Sequence, residues 1–203
     1  FFATFKVGAI LVPVFSGFGT EAVAARFQDA GVKIVFTADG TLRKGKEIPV
    51  KEILDEALLH CPSVKTCVVV RRLFQKRVPM RSGRDVFYDE AMACPREACP
   101  TEELPSEHPC MVLYTSGTTG KPKGTVHTHA GVLAQVSKEH YFHFDLKPHE
   151  TFFWVTDIGW MMGPWMILGA SHFGASFVLI EGSPVPPKVT RVFDLCNKFS
   201  VSH

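Results

Sequence analysis

An α/β architecture, with layered sheets flanked by helices, follows from two features of the 203-residue chain. Short runs rich in β-branched and aromatic residues recur at 10–15 (ILVPVF), 33–37 (KIVFT), 66–71 (TCVVVR), 110–115 (CMVLYT) and 176–180 (SFVLI), and each reads as a strand. Between them lie segments of helical spacing, and strands alternating with helices indicate a largely buried sheet. With 46% hydrophobic and 21% charged residues the composition is that of a soluble, globular chain, long enough for one substantial domain.

The opening stretch 1–15, FFATFKVGAILVPVF, is apolar but too short to span a bilayer, carries Lys6 and lacks a suitably placed cleavage site. It reads as a buried helix end running into a strand. After the strand at 33–37 comes the basic turn 42–46, LRKGK, and then a helix in 50–60, where Val50, Ile53, Leu54, Ala57 and Leu58 share one face. The segment 72–109 runs from basic (Arg72, Lys76, Arg77, Arg81, Arg84) to acidic and proline-containing (Glu97, Pro100, Glu102, Glu103, Pro105, Glu107, Pro109) and reads as a surface excursion with a short helix around VFYDEAM. Residues 124–128, GTVHT, read as extended, 129–141 as helical, and in 188–199 Val189, Val192, Phe193, Cys196 and Phe199 fall on one helical face. The chain lacks an initiator Met and stops as a new apolar segment begins, so the expectation is a single domain, incompletely represented.

A formal net charge of +2 gives no argument for nucleic acid, and the basic run 71–84 has little aromatic interleaving, so it reads as a solvated loop. Cys61, Cys67, Cys94, Cys99, Cys110 and Cys196 show no CxxC pair; free thiols in a reducing compartment, the cytoplasm, are expected. His127 and His129 lie two apart and His140 and His143 three apart, but no carboxylate or cysteine cluster accompanies them, so no metal site is assigned.

The stretch YTSGTTGKPKG, 114–124, is of another kind. It holds hydroxyls at Thr115, Ser116, Thr118 and Thr119, glycines at Gly117, Gly120 and Gly124, cations at Lys121 and Lys123, and no carboxylate. Glycines free to take positive φ let backbone N–H groups converge on an anion, while the hydroxyls donate and the lysines add charge. The order strand, loop, strand, helix and the absence of GxxxxGK[ST] separate it from a P-loop. It suits a triphosphate or its pyrophosphate product.

At these residues, YTSGTTGKPKGTVHTHAG, the chain resembles the adenylate-forming superfamily of acyl-CoA synthetases, nonribosomal-peptide adenylation domains and luciferases. The likeness runs through nearly the whole chain and is nearest to the acetyl-CoA synthetase branch, through VGAILVPVFSGFGTEAVAARFQDAGVKIVFTADG, LRKGKEIPVKEILDEAL, TDIGWMMGPW and FVLIEGSPVPP. The resemblance implies part of an AMP-binding N-terminal domain over 1–203, with the C-terminal domain and its catalytic lysine outside the chain, and no turnover by these 203 residues alone. It implies a two-step ligase: a small carboxylic acid attacks the α-phosphorus of ATP to give an acyl-adenylate and pyrophosphate, and the CoA thiol then displaces AMP. Lys121, Lys123 and the loop hydroxyls would stabilise charge on the leaving pyrophosphate, with Mg²⁺ expected at the phosphates.

The same resemblance places Arg43, Lys44, Gly45 and Lys46 where acetyl-CoA synthetases contact the phosphorylated nucleotide end of CoA, with lysine at 46 where the family often has arginine. Trp160, Met161 and Met162 fall at the acyl pocket, and the two methionines stand where acetate-specific members carry Val and Thr. Val185 replaces an Asn often offered to CoA. A short- or medium-chain acid, with no strict acetate preference, is the implied substrate. Two alternatives remain open on these residues: acyl transfer to a carrier-protein thiol, and a nucleotide-binding module that never turns over.

Overall fold

The computed structural model describes residues 1–74, 77–94, 97–115, 122–185 and 187–203. In chain order its elements begin with α1 (Phe2–Lys6), α2 (Thr20–Asp29), β1 (Ile34–Ala38), β2 (Thr41–Arg43), β3 (Lys46–Ile48), α3 (Val50–Leu58), β4 (Thr66–Val70) and β5 (Asp85–Phe87). They continue with α4 (Tyr88–Met92), β6 (Pro109–Thr115), β7 (Lys123–Thr128), α5 (His129–Phe142), β8 (Thr151–Phe152), α6 (Met162–His172), β9 (Ser176–Phe177) and α7 (Arg191–Lys198). The chain divides into two compact units: Phe1–Phe15, Pro100–Leu113 and Thr125–His203 form the first, Ser16–Cys99 and Tyr114–Gly124 the second.

In the second unit β1, β4 and β5 form a parallel sheet in that order, with Ile34 opposite Thr66 and Val68 opposite Val86. Side chains alternate across a strand, so Val35, Cys67 and Val69 share one face, and all three are buried. Val23, Ala24 and Phe27 of α2, Leu54, Ala57 and Leu58 of α3, and Cys61, Val64 and Val68 are buried in the same unit. Ile34 and Phe36 point the other way and are exposed. Lys51 lies on the same stripe of α3 as Leu54 and Leu58, yet it is fully buried, because its ammonium meets Asp55 at 2.6 Å, Asp85 at 2.9 Å and the Pro79 carbonyl at 2.9 Å. Arg84 closes the cluster by pairing with Asp55 and Asp85.

In the first unit the core gathers Leu146, Phe152, Met166, Ile167, Ala170 and Ala175. β8 and β9 pair in parallel, Phe152 opposite Phe177. The Thr128 hydroxyl caps α5 by accepting from the Gly131 N–H at 3.1 Å. His140 is wholly buried beside Phe152 and Trp165, and its Nδ1 lies 2.9 Å from the Val136 carbonyl. Among the described residues no helix is long and apolar enough to cross a membrane.

The mixed α/β character read from the sequence is present, with local corrections. The run 10–15 is no strand: Leu11 alone bridges Met111, and Pro13, lacking an N–H, cannot extend the ladder. The run 176–180 shortens to β9, although the Val178 N–H still reaches the Phe152 carbonyl at 3.0 Å. α1 forms but buries none of its residues. The excursion 72–109 is more than surface, since β5 joins the sheet and is too short for three residues to announce a strand. α6 gives no periodic signal because it is buried on many sides.

Candidate functional site

The basic turn is the tip of a hairpin. β2 and β3 pair antiparallel with Arg43 directly opposite Lys46, which leaves Lys44 and Gly45 as a two-residue loop. Their φ values are 51° and 77°, both left-handed, as a type I′ turn demands. Nothing approaches the place of a Gly45 side chain, so glycine is there for its φ and not for close packing. Residues 43–46 are all exposed. Arg43 and Lys46 thus place two cations side by side on neighbouring strands.

The base of the hairpin is tied down. Asp39 is 1% exposed; its N–H donates to the Val70 carbonyl at 2.9 Å, and its Oδ1 accepts from the N–H groups of Gly40 (2.8 Å), Arg72 (2.8 Å) and Leu73 (2.9 Å). An Asp-Gly pair after a strand reads in sequence as ordinary turn chemistry; the burial that gives it weight is visible only in the fold.

Of the phosphate-loop residues, Ser116, Gly117, Thr118, Thr119, Gly120 and Lys121 lie outside the described residues. Thr115 ends β6, Lys123 and Gly124 begin β7, and all three are exposed. One residue before the loop, the Tyr114 hydroxyl donates to Asp29 Oδ2 at 2.6 Å. Burial, then the bond to Asp29 and its charge, push this phenol well above its ordinary range. The buried Arg26 guanidinium stands 4.0 Å from the Phe18 ring centre and 5.7 Å from that of Tyr114.

Trp160, Met161 and Met162 belong to the first unit. Trp160 and Met161 are exposed, Met162 is partly buried at the start of α6, and the Trp160 ring meets Phe15 edge-on at 6.4 Å. Two glycines bracket the three side chains: a Cβ on Gly159 would overlap the Val14 carbonyl, and one on Gly163 would overlap the Ile158 backbone. A cleft of about 510 Å³ in this unit is lined by Phe2, Phe5, Leu133, Val136 and Leu168 and does not include residues 160–162. Val185 is exposed. Residues 43–46, 115, 123 and 124 thus fall in one compact unit and 160–162 in the other.

His127 and His129 sit on the passage from β7 into α5, where burial lowers the His127 imidazole; His140 is a core residue. Among the described residues, no group of three or more His, Cys, Asp or Glu is placed to hold a metal.

Comparison with known proteins covers the whole chain. The family of AMP-binding enzymes matches residues 1–203. The acetyl-coenzyme A synthetase of Magnetococcus marinus is 39% identical over 198 residues, covering 97% of this chain and 31% of that protein. That of Mycolicibacterium smegmatis is 42% identical over 203 residues, covering 97% of this chain and 21% of its own. Among solved structures, acetoacetyl-CoA synthetase from Streptomyces lividans superposes with a TM-score of 0.82 at 30% identity, over 98% of this chain and 33% of that one. The chain therefore spans about a third or less of the length of these relatives.

Proposed function

The chain belongs to the family of AMP-binding enzymes, and on that premise we propose that the complete protein is an ATP-dependent acyl-CoA synthetase of the acetyl-CoA synthetase type, acting on a short- or medium-chain carboxylic acid. The observation that supports this most is the similarity to acetyl-coenzyme A synthetases over 97% of the chain, a span that takes in both residues 114–124 and the basic hairpin.

In the first step a carboxylate oxygen bonds to the α-phosphorus of ATP while the bond to the bridging oxygen breaks and pyrophosphate departs. Lys121, Lys123 and the hydroxyls of Thr115, Ser116, Thr118 and Thr119 hold the outer phosphates and take up the charge that moves onto them. Magnesium enters with ATP as part of the substrate: residues 114–124 contain no carboxylate, so they suit the phosphate oxygens themselves, with hydroxyls as their only side-chain oxygen donors to a cation. In the second step the CoA sulfur bonds to the acyl carbon, AMP leaves with the electron pair and the thiol proton is released. Arg43, Lys44 and Lys46 hold the phosphorylated nucleotide end of CoA, and Trp160, Met161 and Met162 wall the acid. Cytoplasmic residence goes with this reading, supported by the free thiols, of which Cys61, Cys67 and Cys110 are buried.

The test is acid-dependent ATP–pyrophosphate exchange by the complete protein. Removing one preorganised donor of this kind costs about 10²–10³ in rate, so the double variant Lys121→Ala, Lys123→Ala should lose at least about a hundredfold. Exchange and ATP binding as strong as in the wild type would refute the reading.

A further inference from the structure

The hairpin that carries Arg43, Lys44 and Lys46 is small. β2 and β3 are three residues each and form a separate two-stranded ribbon, not an extension of the β1–β4–β5 sheet. A ribbon that small is marginal alone in water, so what fixes its two ends bears on its direction.

At the exit the chain passes from β3 through Pro49, whose φ is −80°, into α3, where Lys51 is locked in its buried ionic cluster. At the entry stands Asp39, separated from β2 by Gly40 alone. One oxygen of this buried side chain gathers three backbone N–H groups, one from the residue that starts the path to the hairpin and two from the chain leaving β4. With its own N–H on Val70, Asp39 fastens the hairpin root to the end of the central strand. Backbone donors to an ionised acceptor are short, directional bonds. No neutral aliphatic side chain could replace them: the Gly40 N–H would lose its acceptor in a buried place, and those of Arg72 and Leu73 would lose theirs in a partly buried one.

We propose that Asp39 is a positioning residue for recognition of the phosphorylated nucleotide end of CoA: by anchoring the root of the β2–β3 hairpin it fixes where the cations at the tip present themselves. This rests on the reading of residues 43–46 as the CoA contact. A clamp aimed before its ligand arrives does not spend binding energy on ordering itself. Asp39 acts through the hairpin.

The experiment uses the complete protein with Asp39→Ala and Asp39→Asn. Thioester formation is measured with CoA and with 3′-dephospho-CoA, and acid-dependent ATP–pyrophosphate exchange, which needs no CoA, reports how much competent enzyme each preparation holds. The readout is the ratio of KM values for the two thiols, which a loss of folded protein does not move. The wild type should favour CoA by about tenfold or more, the worth of one good charge-assisted contact. The ratio should fall at least about fivefold in Asp39→Ala and by less in Asp39→Asn, which keeps an oxygen acceptor. A wild-type ratio retained by Asp39→Ala would overturn the proposal, and if that variant does not fold, a ratio undiminished in Asp39→Asn does so. A wild type that cannot tell the two thiols apart would instead remove the CoA reading of residues 43–46, and this inference with it, before any substitution is made.

Discussion

Met161 and Met162 occupy unlike surroundings: Met161 is 57% exposed as the N-cap of α6, while Met162 is partly buried as its first residue. Both are longer and more adaptable than Val or Thr, so a wall built from them can yield to different acids. In the complete protein, Met161→Val with Met162→Thr should raise the acetate-over-isobutyrate ratio in pyrophosphate exchange by about tenfold, since one methylene in such a pocket is worth 10–200-fold. A wild type that already rejects propionate, isobutyrate and hexanoate would remove the basis for that expectation. The proposed pocket role of Trp160, Met161 and Met162 is legible only through likeness to a family, because Trp-Met-Met has no chemical signature of its own. Lys44 and Gly45 differ: a basic turn containing glycine announces itself in sequence, and the structure adds that both residues must be left-handed.

At the scale of the element, the buried ionic cluster decides how α3 and β5 meet. Burial alone would raise the Asp85 carboxyl, but Arg84, the Arg81 N–H and Lys51 outweigh it and hold it at about 2. A carboxyl whose folded value lies below its ordinary 3.8 contributes stability in full above that value and loses it as the pH falls towards 2. Lys51→Met would remove one of the two cations that pair with the buried Asp85, leaving Arg84 and the Arg81 N–H, and should cost about 1–3 kcal/mol in urea unfolding near neutral pH. The penalty should shrink in acid, where Asp85 takes a proton. An unchanged denaturation midpoint would show that Arg84 alone suffices. Long periodic segments were readable from sequence, as α3, β4, β6 and α5 demonstrate, because side-chain spacing repeats within them. β5 and the two hairpin strands were not, since three residues carry too little pattern and their places come from partners distant in the chain.

Across the whole molecule, the two compact units carry different acid-sensitive groups. His140 is buried among Phe144, Phe152 and Trp165, and burial lowers its imidazole from the ordinary 6.5. The neutral ring is the folded form, so its contribution is complete above about 6.5 and drains away as pH falls below it. Trp154, Trp160 and Trp165 all belong to this first unit, so urea unfolding of the chain followed by tryptophan fluorescence should show a midpoint that drops between pH 7 and pH 5. His140→Phe, which keeps a ring and cannot titrate, should drop less; an equal drop would place the sensitivity elsewhere. Sequence gave no warning of that role, because a histidine on a helix reads the same whether it faces water or core. The glycines at 159 and 163 have a wider bearing. A Cβ at either position would collide with backbone, so the main chain is sterically fixed on both sides of Trp160, Met161 and Met162. If those three side chains do wall the acid as proposed, exchanging them would reshape its berth without disturbing the two hinge points that frame it.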